Sequence, residues 1–263
     1  MTDEMKIYLI AVIGIIVGLA LFFQGLKKMK LKRTIQNTPT SKVRSIAMGL
    51  VELIGKAAPF QQTIKSPFSQ ADCVFYKYTV EEYKLETTTD SDGNTKTEGR
   101  WEEIQSGRSD NLLCLEDDTG TVPVNPDRAE VAIPVDRVIT SSDYGNFAST
   151  ISAFFDSQSI IFGSTFGRQL RFTEHYIEPG DPLYVLGTAE RNPDAAPASG
   201  SSGANVIIKK GANDPVFYIS DKGEKGVLKS LSWQAPLYVF GGALVTLACI
   251  AALAYGISAN MAK

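Results

Sequence analysis

The chain is 263 residues long, 44% apolar and 21% charged, with a formal net charge of −3 at neutral pH. That balance carries no basic surplus to draw nucleic acid, and three cysteines are too few for a disulfide framework. The apolar residues are unevenly placed: two uncharged segments stand near the ends, with a long and more polar stretch between them.

After a tail at residues 1–6, the segment 7–26, from Ile7 to Leu26, holds no charge. Roughly 20 apolar residues, each rising ~1.5 Å, cross a hydrocarbon core, so this segment reads as a first transmembrane helix. A retained anchor fits better than a cleaved signal peptide, because a basic cluster and no small-x-small site follows the apolar run. That cluster, Lys27, Lys28, Lys30, Lys32 and Arg33, opens a juxtamembrane linker expected over 27–42. Lys222, Lys225 and Lys229 precede the second apolar segment, 235–257 from Ala235 to Ile257, and only Lys263 lies in the tail 258–263. Basic residues beside a span stay on the cytoplasmic side, so the middle is expected in the cytoplasm and both termini outside. The cluster also suits anionic lipid head groups. Gly14 with Gly18, and Ala248 with Ala252, place small residues at the spacing that lets membrane helices approach closely.

The middle, residues 43–231, is strand-like. Val43 to Leu53 suits a short helix or a strand and leads into GLVELIGKA, a first twisted strand. In DCVFYKYTVEEYKLE, alternation sets Val74, Tyr76, Tyr78 and Val80 on one face. A polar, mobile loop is expected over 87–99, with Asp92-Gly93 as its turn. The chain returns through Trp101, then LLCLEDDTGTVPV reads as strand, turn and strand. Ala129 to Ile139 adds another apolar run, and an irregular stretch carries a short amphipathic helix around Ile151 to Phe155. Strands at Gln169–Ile177 and Asp181–Glu190 flank a Glu178-Pro179-Gly180 turn. A second mobile loop, 192–205, is rich in Pro, Gly, Ser and Ala. Val206–Ile208 and Pro215–Ile219 close the strand set, and Ser220 opens a short helix that feeds the second span. The expected fold is mainly β, an OB-like small barrel or a sandwich with α+β additions, between two transmembrane α-helices.

Five ordered stretches carry a family likeness: GLVELIGKAAP, SPFSQADCVFYKYTVEEY, LLCLEDDTGTVPVNPDRAEV after Trp101, LRFTEHYIEPGDPLYVLGTAE and DPVFYISDKGEKGVLKSLSW. Together they resemble the GIDE, or beside-a-membrane, domain of the GIDE/MAPL-type membrane-anchored ubiquitin ligases of mitochondria. The resemblance covers about residues 43–258 and implies a domain held between two membrane helices. In those ligases a RING finger follows the second helix and recruits the ubiquitin-conjugating enzyme, and the domain faces the intermembrane space. A RING binds two zinc ions through eight Cys or His ligands, four to each metal. This chain holds three Cys and one His, so the expectation is a RING-less, prokaryotic-like member with ubiquitin transfer lost or supplied in trans. The expected role is a protein-interaction or membrane-organising module. Its expected partners are membrane lipid and an unidentified protein or a second copy, with no nucleic acid, small-molecule substrate, metal or cofactor.

Several motifs invite chemistry. Asp118-Thr119-Gly120-Thr121 resembles an aspartic-protease signature, but that mechanism needs a second aspartate to share the proton, and a β-turn explains it better. Asp90, Asp92 and Asn94 have calcium-loop spacing without the glycine and terminal glutamate such loops use. His175, the only histidine, adjoins Glu174, yet no nucleophile motif accompanies the pair. Asp118 and His175 therefore stand as weak catalytic candidates, with no catalytic set expected. Cys73 and Cys114 read as buried thiols rather than a bridge. Phe75, Tyr76, Tyr78, Tyr83 and Trp101 offer an aromatic platform, but Glu81, Glu82, Glu86, Glu98, Glu102 and Glu103 would repel a phosphate backbone.

Overall fold

A computed structural model describes residues 3–89, 95–140, 144–157, 169–193, 205–212 and 216–261. The chain divides into two compact units, one of residues 1–39 and 223–263, the other of residues 40–222.

The first unit is a pair of long helices, α1 (Asp3–Asn37) and α3 (Glu224–Met261), each long and apolar enough to cross a membrane. Their contact is a close one. A Cβ added at Gly18 would lie 2.9 Å from the Gly242 carbonyl oxygen, and one added at Gly242 would lie 2.7 Å from the Gly18 carbonyl oxygen. Glycine at both positions lets the two backbones meet. The α3 side of this seam is Gly242, Thr246 and Cys249, spaced so that they share one face. Ala248 and Ala252 lie outside it and are exposed, which corrects the expectation from small-residue spacing. The linker expected over 27–42 is also corrected. Helix α1 continues unbroken to Asn37 because Lys, Leu, Met and Arg are strong helix formers and the first breaker is Pro39. Leu31 and Ile35 are buried on this extension. The short helix expected from Ser220 is instead the beginning of α3, which starts at Glu224 and runs through Pro236 without a break.

The second unit is built on a barrel. Strands β2 (Gly49–Pro59), β7 (Leu113–Asp117), β8 (Gly120–Val124), β13 (Val206–Lys209) and β12 (Pro182–Arg191) neighbour one another in that order, and β12 pairs with β2 to close the ring. Counted in chain order the ring runs first, second, third, fifth, fourth, and its one parallel contact joins the third and fifth strands, Val124 to Ile208. That is an OB-like closed barrel, and closure removes the free edges a sandwich would keep. Val51, Leu53, Leu113, Leu115, Val122, Val124, Leu183, Val185 and Ile208 fill it. Two-residue β1 (Thr40–Ser41) adds to β2, while β14 (Tyr218–Ser220) and β9 (Glu130–Ala132) extend the sheet beyond β12.

Two insertions leave this barrel. The first, between β2 and β7, carries the short pair β3 (Ile64–Lys65) and β4 (Asp72–Cys73) and the long hairpin β5 (Phe75–Thr89) and β6 (Thr95–Arg108). The second, between β8 and β12, carries β9, β10 (Arg137–Thr140), α2 (Tyr144–Ser157) and β11 (Leu170–Ile177). They combine in an antiparallel sheet ordered β10-β11-β5-β6. Phe68, Val80, Ile139, Ile151, Phe155, Leu170 and Phe172 form its separate core. The register of β6 slips by one residue at Ile104, a bulge that increases local twist.

The hairpin replaces most of the loop expected over 87–99. Threonines at 87–89, 95 and 97 suit a pleated surface, and the ladder continues to the Thr89–Thr95 pair. The Asp92-Gly93 turn, the calcium-like Asp90, Asp92 and Asn94, and most of the loop expected over 192–205 lie outside the described residues. Val43 to Leu53 divides into a 3-10 turn at Val43–Ser45 and the start of β2.

Candidate functional site: the cleft between α2 and the second sheet

A cleft of about 740 Å³ opens in the second unit, lined by Pro67, Gln70, Tyr76, Tyr78, Gly107, Arg108, Ser149, Thr150, Ala153 and Phe154. Four pieces of chain make it. Strand β5 contributes the half-buried Tyr76 and Tyr78, while β6 contributes Gly107 and Arg108. Helix α2 contributes its Ser149-to-Phe154 side, and the loop after β3 supplies Pro67 and Gln70. A Cβ at Gly107 would meet the Tyr78 ring at 2.7 Å, so glycine there lets the ring lie flat against β6.

The loop is held by a buried acid. Glu174 on β11 is 0% exposed, and its two oxygens accept hydrogen bonds from the Phe68 amide (2.7 Å) and the Ser69 amide (3.0 Å). Charged acceptors make the stronger hydrogen bonds. Ser66 reinforces the turn: its hydroxyl lies 2.9 Å from the Ser69 hydroxyl and accepts from the Ala71 amide at 3.0 Å. Within this frame Gln70 takes φ of 58°, the left-handed region that ordinary side chains avoid. Its side-chain amide donates to the Ser66 carbonyl at 3.1 Å. Phe68 anchors the loop from beneath, with its ring 4.8 Å from both Phe154 and Phe172 and 5.5 Å from Tyr78.

The lining is rich in donors. Burial pushes the Tyr76 and Tyr78 hydroxyls above their ordinary pKa, so both stay protonated at neutral pH. Among the described lining residues Arg108 carries the one formal charge. Its guanidinium donates to the Ala129 carbonyl at 3.2 Å and lies 3.5 Å from the Asp127 carboxylate.

The residues singled out from the sequence do not meet there. Asp118 is exposed on the β7–β8 turn and pairs with Lys42. The turn itself is organised by Asp117, whose carboxylate accepts from the Thr119 amide (2.7 Å), the Gly120 amide (3.1 Å) and the Val43 amide (3.0 Å). His175 points its Nδ1 at the Pro134 carbonyl oxygen. Glu174, its neighbour on the strand, faces the opposite side of the sheet and is committed to the loop, so the two form no acid–base pair. The five aromatics also part company: Phe75 enters the barrel core, Tyr76 and Tyr78 line the cleft, and Tyr83 lies 5.2 Å from Trp101 on the distal hairpin. Arg171 stacks 4.4 Å over the Trp101 ring and makes a two-pronged pair with Glu81 at 2.7 and 2.8 Å.

In the other unit, Lys27, Lys30 and Arg33 are exposed on α1 and Lys32 is half-buried, whereas Lys28 bonds Gln234 at 3.1 Å and sits over the Tyr238 ring. Cys73, Cys114 and Cys249 are free thiols, the first two buried. Among the described residues no group of three or more His, Cys, Asp or Glu is placed to hold a metal.

Sequence reasoning missed Phe68, Gln70, Phe154 and the role of Glu174. One signal was present: in Leu170-Phe172-Glu174 the acid occupies an inward position of an alternating strand, where it must find donors.

No curated protein and no solved structure matches the chain. The family model GIDE, described as E3 ubiquitin ligase, matches residues 82–254, from the middle of β5 through four of the five barrel strands and into α3. With more than half of the chain covered, an OB-like barrel carrying two insertions and two helices fit to cross a membrane, this is a membrane protein that belongs to the GIDE family.

Proposed function

We propose that the protein is a membrane-tethered interaction module whose GIDE domain grips a segment of another protein in the cleft between α2 and β5. The preformed cleft carries this reading. A buried carboxylate is committed to holding a loop in which Gln70 keeps a sparsely populated backbone conformation, and such strain clusters at functional sites. The volume falls within the ~300–1,000 Å³ of small-ligand and side-chain pockets. Two tyrosine hydroxyls, Ser149, Thr150 and one guanidinium favour an acceptor-rich, acidic segment. The basic run after the first span supports a domain in the cytoplasm.

The test is benzoylphenylalanine placed at Ala153 in the full-length chain, irradiated in native membranes. A discrete adduct, lost when Arg108→Gln is added, supports the reading. No adduct, or one indifferent to Arg108, refutes it. Reagent access to a cysteine placed at exposed Met48 in closed vesicles checks the side; Cys73 and Cys114 are too buried to serve. The family's description favours a second reading, a component of a ubiquitin-like transfer system with its RING supplied in trans. An adduct containing a conjugating enzyme or RING protein would select it.

A further inference from the structure

The distal half of the β5–β6 hairpin is unusual in having little to rest on. Among the described residues β11 accompanies β5 as far as the Leu170–Glu82 pair, with one further bond from the Tyr83 amide to the Gln169 carbonyl oxygen (2.9 Å), and the hairpin continues as a two-stranded ribbon to the Thr89–Thr95 pair. Both faces of that ribbon are exposed, Leu85 to 68%. Two-stranded ribbons standing alone are marginally stable in water. Among the described residues, no strand pairs with the outer edge of β6. Natural edges are blunted by Pro, by a bulge, by charged side chains or by a covering segment. Residues 95–103 have no proline, and the bulge lies beyond them at Ile104.

The charges on this edge alternate in sign: Lys96, Glu98, Arg100 and Glu102 share one face. Antiparallel pairing of two identical edges about a twofold axis keeps each face continuous, so one residue must lie opposite itself. Centred on Glu98, that pairing sets Glu98 against Glu98 and Lys96 against Arg100. Centred on Arg100, it sets Arg100 against Arg100 and Glu98 against Glu102. Centred on Gly99, it sets Lys96 against Glu102 and Glu98 against Arg100, each twice by symmetry, with no like charges opposed. Centres at Thr97 or Trp101 give half as many opposite pairs. Gly99 itself suits the dyad, since the Tyr83 ring already covers the place where its Cβ would be and interior strand glycines mark close backbone approach.

We infer that the outer edge of β6 pairs antiparallel with the same edge of a second copy of this chain, centred on Gly99. This surface is separate from the cleft and stands whether or not the cleft binds a partner.

The experiment uses full-length chains labelled at Met48→Cys with donor or acceptor dye, in proteoliposomes over a range of protein-to-lipid ratios. Wild type transfers energy. Glu98→Arg and Arg100→Glu, each alone, oppose like charges across the dyad and weaken association about tenfold. Mixing the two variants restores complementarity at every position, as does the swap of both residues within one chain, and transfer returns to the wild-type level. Lys96→Glu with Glu102→Lys repeats the logic at an independent pair. Thermal melts confirm that each single variant is folded. Absent transfer in wild type, transfer indifferent to these charges, or failure of the mixture to recover would each overturn the inference; indifference would assign association to the membrane helices.

Discussion

Removing the Glu174 carboxylate should open the cleft before it unfolds the domain. Two backbone amides, those of Phe68 and Ser69, depend on it at 2.7 and 3.0 Å. A hydrogen bond to a charged group is worth about 1.5–3 kcal/mol, so Glu174→Ala forfeits about 3–6 kcal/mol at a fully buried site. Glu174→Gln keeps one acceptor and turns an NH₂ toward the other amide, for about half that loss. Against a total stability of ~5–15 kcal/mol this is large, yet the loop is local and can yield alone. Hydrogen exchange by mass spectrometry on the full-length protein in detergent reads it directly. Peptides spanning Phe68 and Ser69 should exchange about 10²- to 10⁴-fold faster in Glu174→Ala, at ~1.4 kcal/mol per tenfold, while barrel peptides around Leu53 and Val185 change little. Unchanged exchange at the loop would show that Ser66 and the Phe68 ring hold it without the acid, and the argument from Glu174 to a built site would fail.

Other consequences follow from single contacts. Gly18→Leu should separate α1 from α3 and lower the thermal midpoint of the detergent-solubilised protein by several degrees, whereas Ala248→Leu, outside the seam, should leave it nearly unchanged. The hydrogen-bonded Arg171 lowers the Glu81 pKa from 4.5. A depressed carboxylate stabilises the fold above its ordinary value and loses that contribution as pH falls through the lowered one. The thermal advantage of wild type over Arg171→Gln should therefore be full at neutral pH and shrink below pH 4.5; an advantage constant down to pH 2 would assign it to stacking on Trp101. Burial pushes the Cys73 thiol up to about 12 and Cys114 up to about 11, leaving about one thiolate in 10⁴ and 10³ at pH 8. Maleimide should modify neither until denaturant is added, and labelling of the native domain would contradict their burial.

Much of the fold was legible because it is written locally. Uncharged runs mark both membrane helices, short apolar runs set off by turns mark the barrel strands, and Glu178-Pro179-Gly180 marks a turn in which Gly180 takes φ of 94°. Sequence pattern failed where long-range pairing overrides local polarity. Thr87 to Gly99 reads as a loop by composition, yet each threonine and glutamate there has a partner across the hairpin. The basic stretch after the first span reads by charge as a linker, although its residue types favour helix. Small-residue spacing chose Ala248 and Ala252, but the face of α3 that meets α1 depends on helix rotation, which spacing alone does not set.

The cleft was hidden for a different reason. Its parts come from two insertions into the barrel, and the bond that organises it joins residues 106 apart in the chain. No window of sequence contains both partners. What a window does contain is Glu174 at an inward position beside Leu170 and Phe172. A hydrophobic residue there would extend the core without the penalty of desolvating a charge. Retaining the acid gives no obvious gain in core stability; its effect is to fix one loop, with Gln70 in a conformation the isolated chain disfavours. Glu52 follows the same pattern on the outer face of the barrel, buried and accepting from Tyr184 (3.0 Å) and Thr40 (2.9 Å), but it joins β2 to β12 and β1 within a single sheet. The difference between the two acids is what they hold. Glu52 ties together strands that already pair, so its loss should act on the barrel as a whole. Glu174 shapes a loop that lines an open cleft, and that asymmetry supports the proposal that the cleft holds a partner segment.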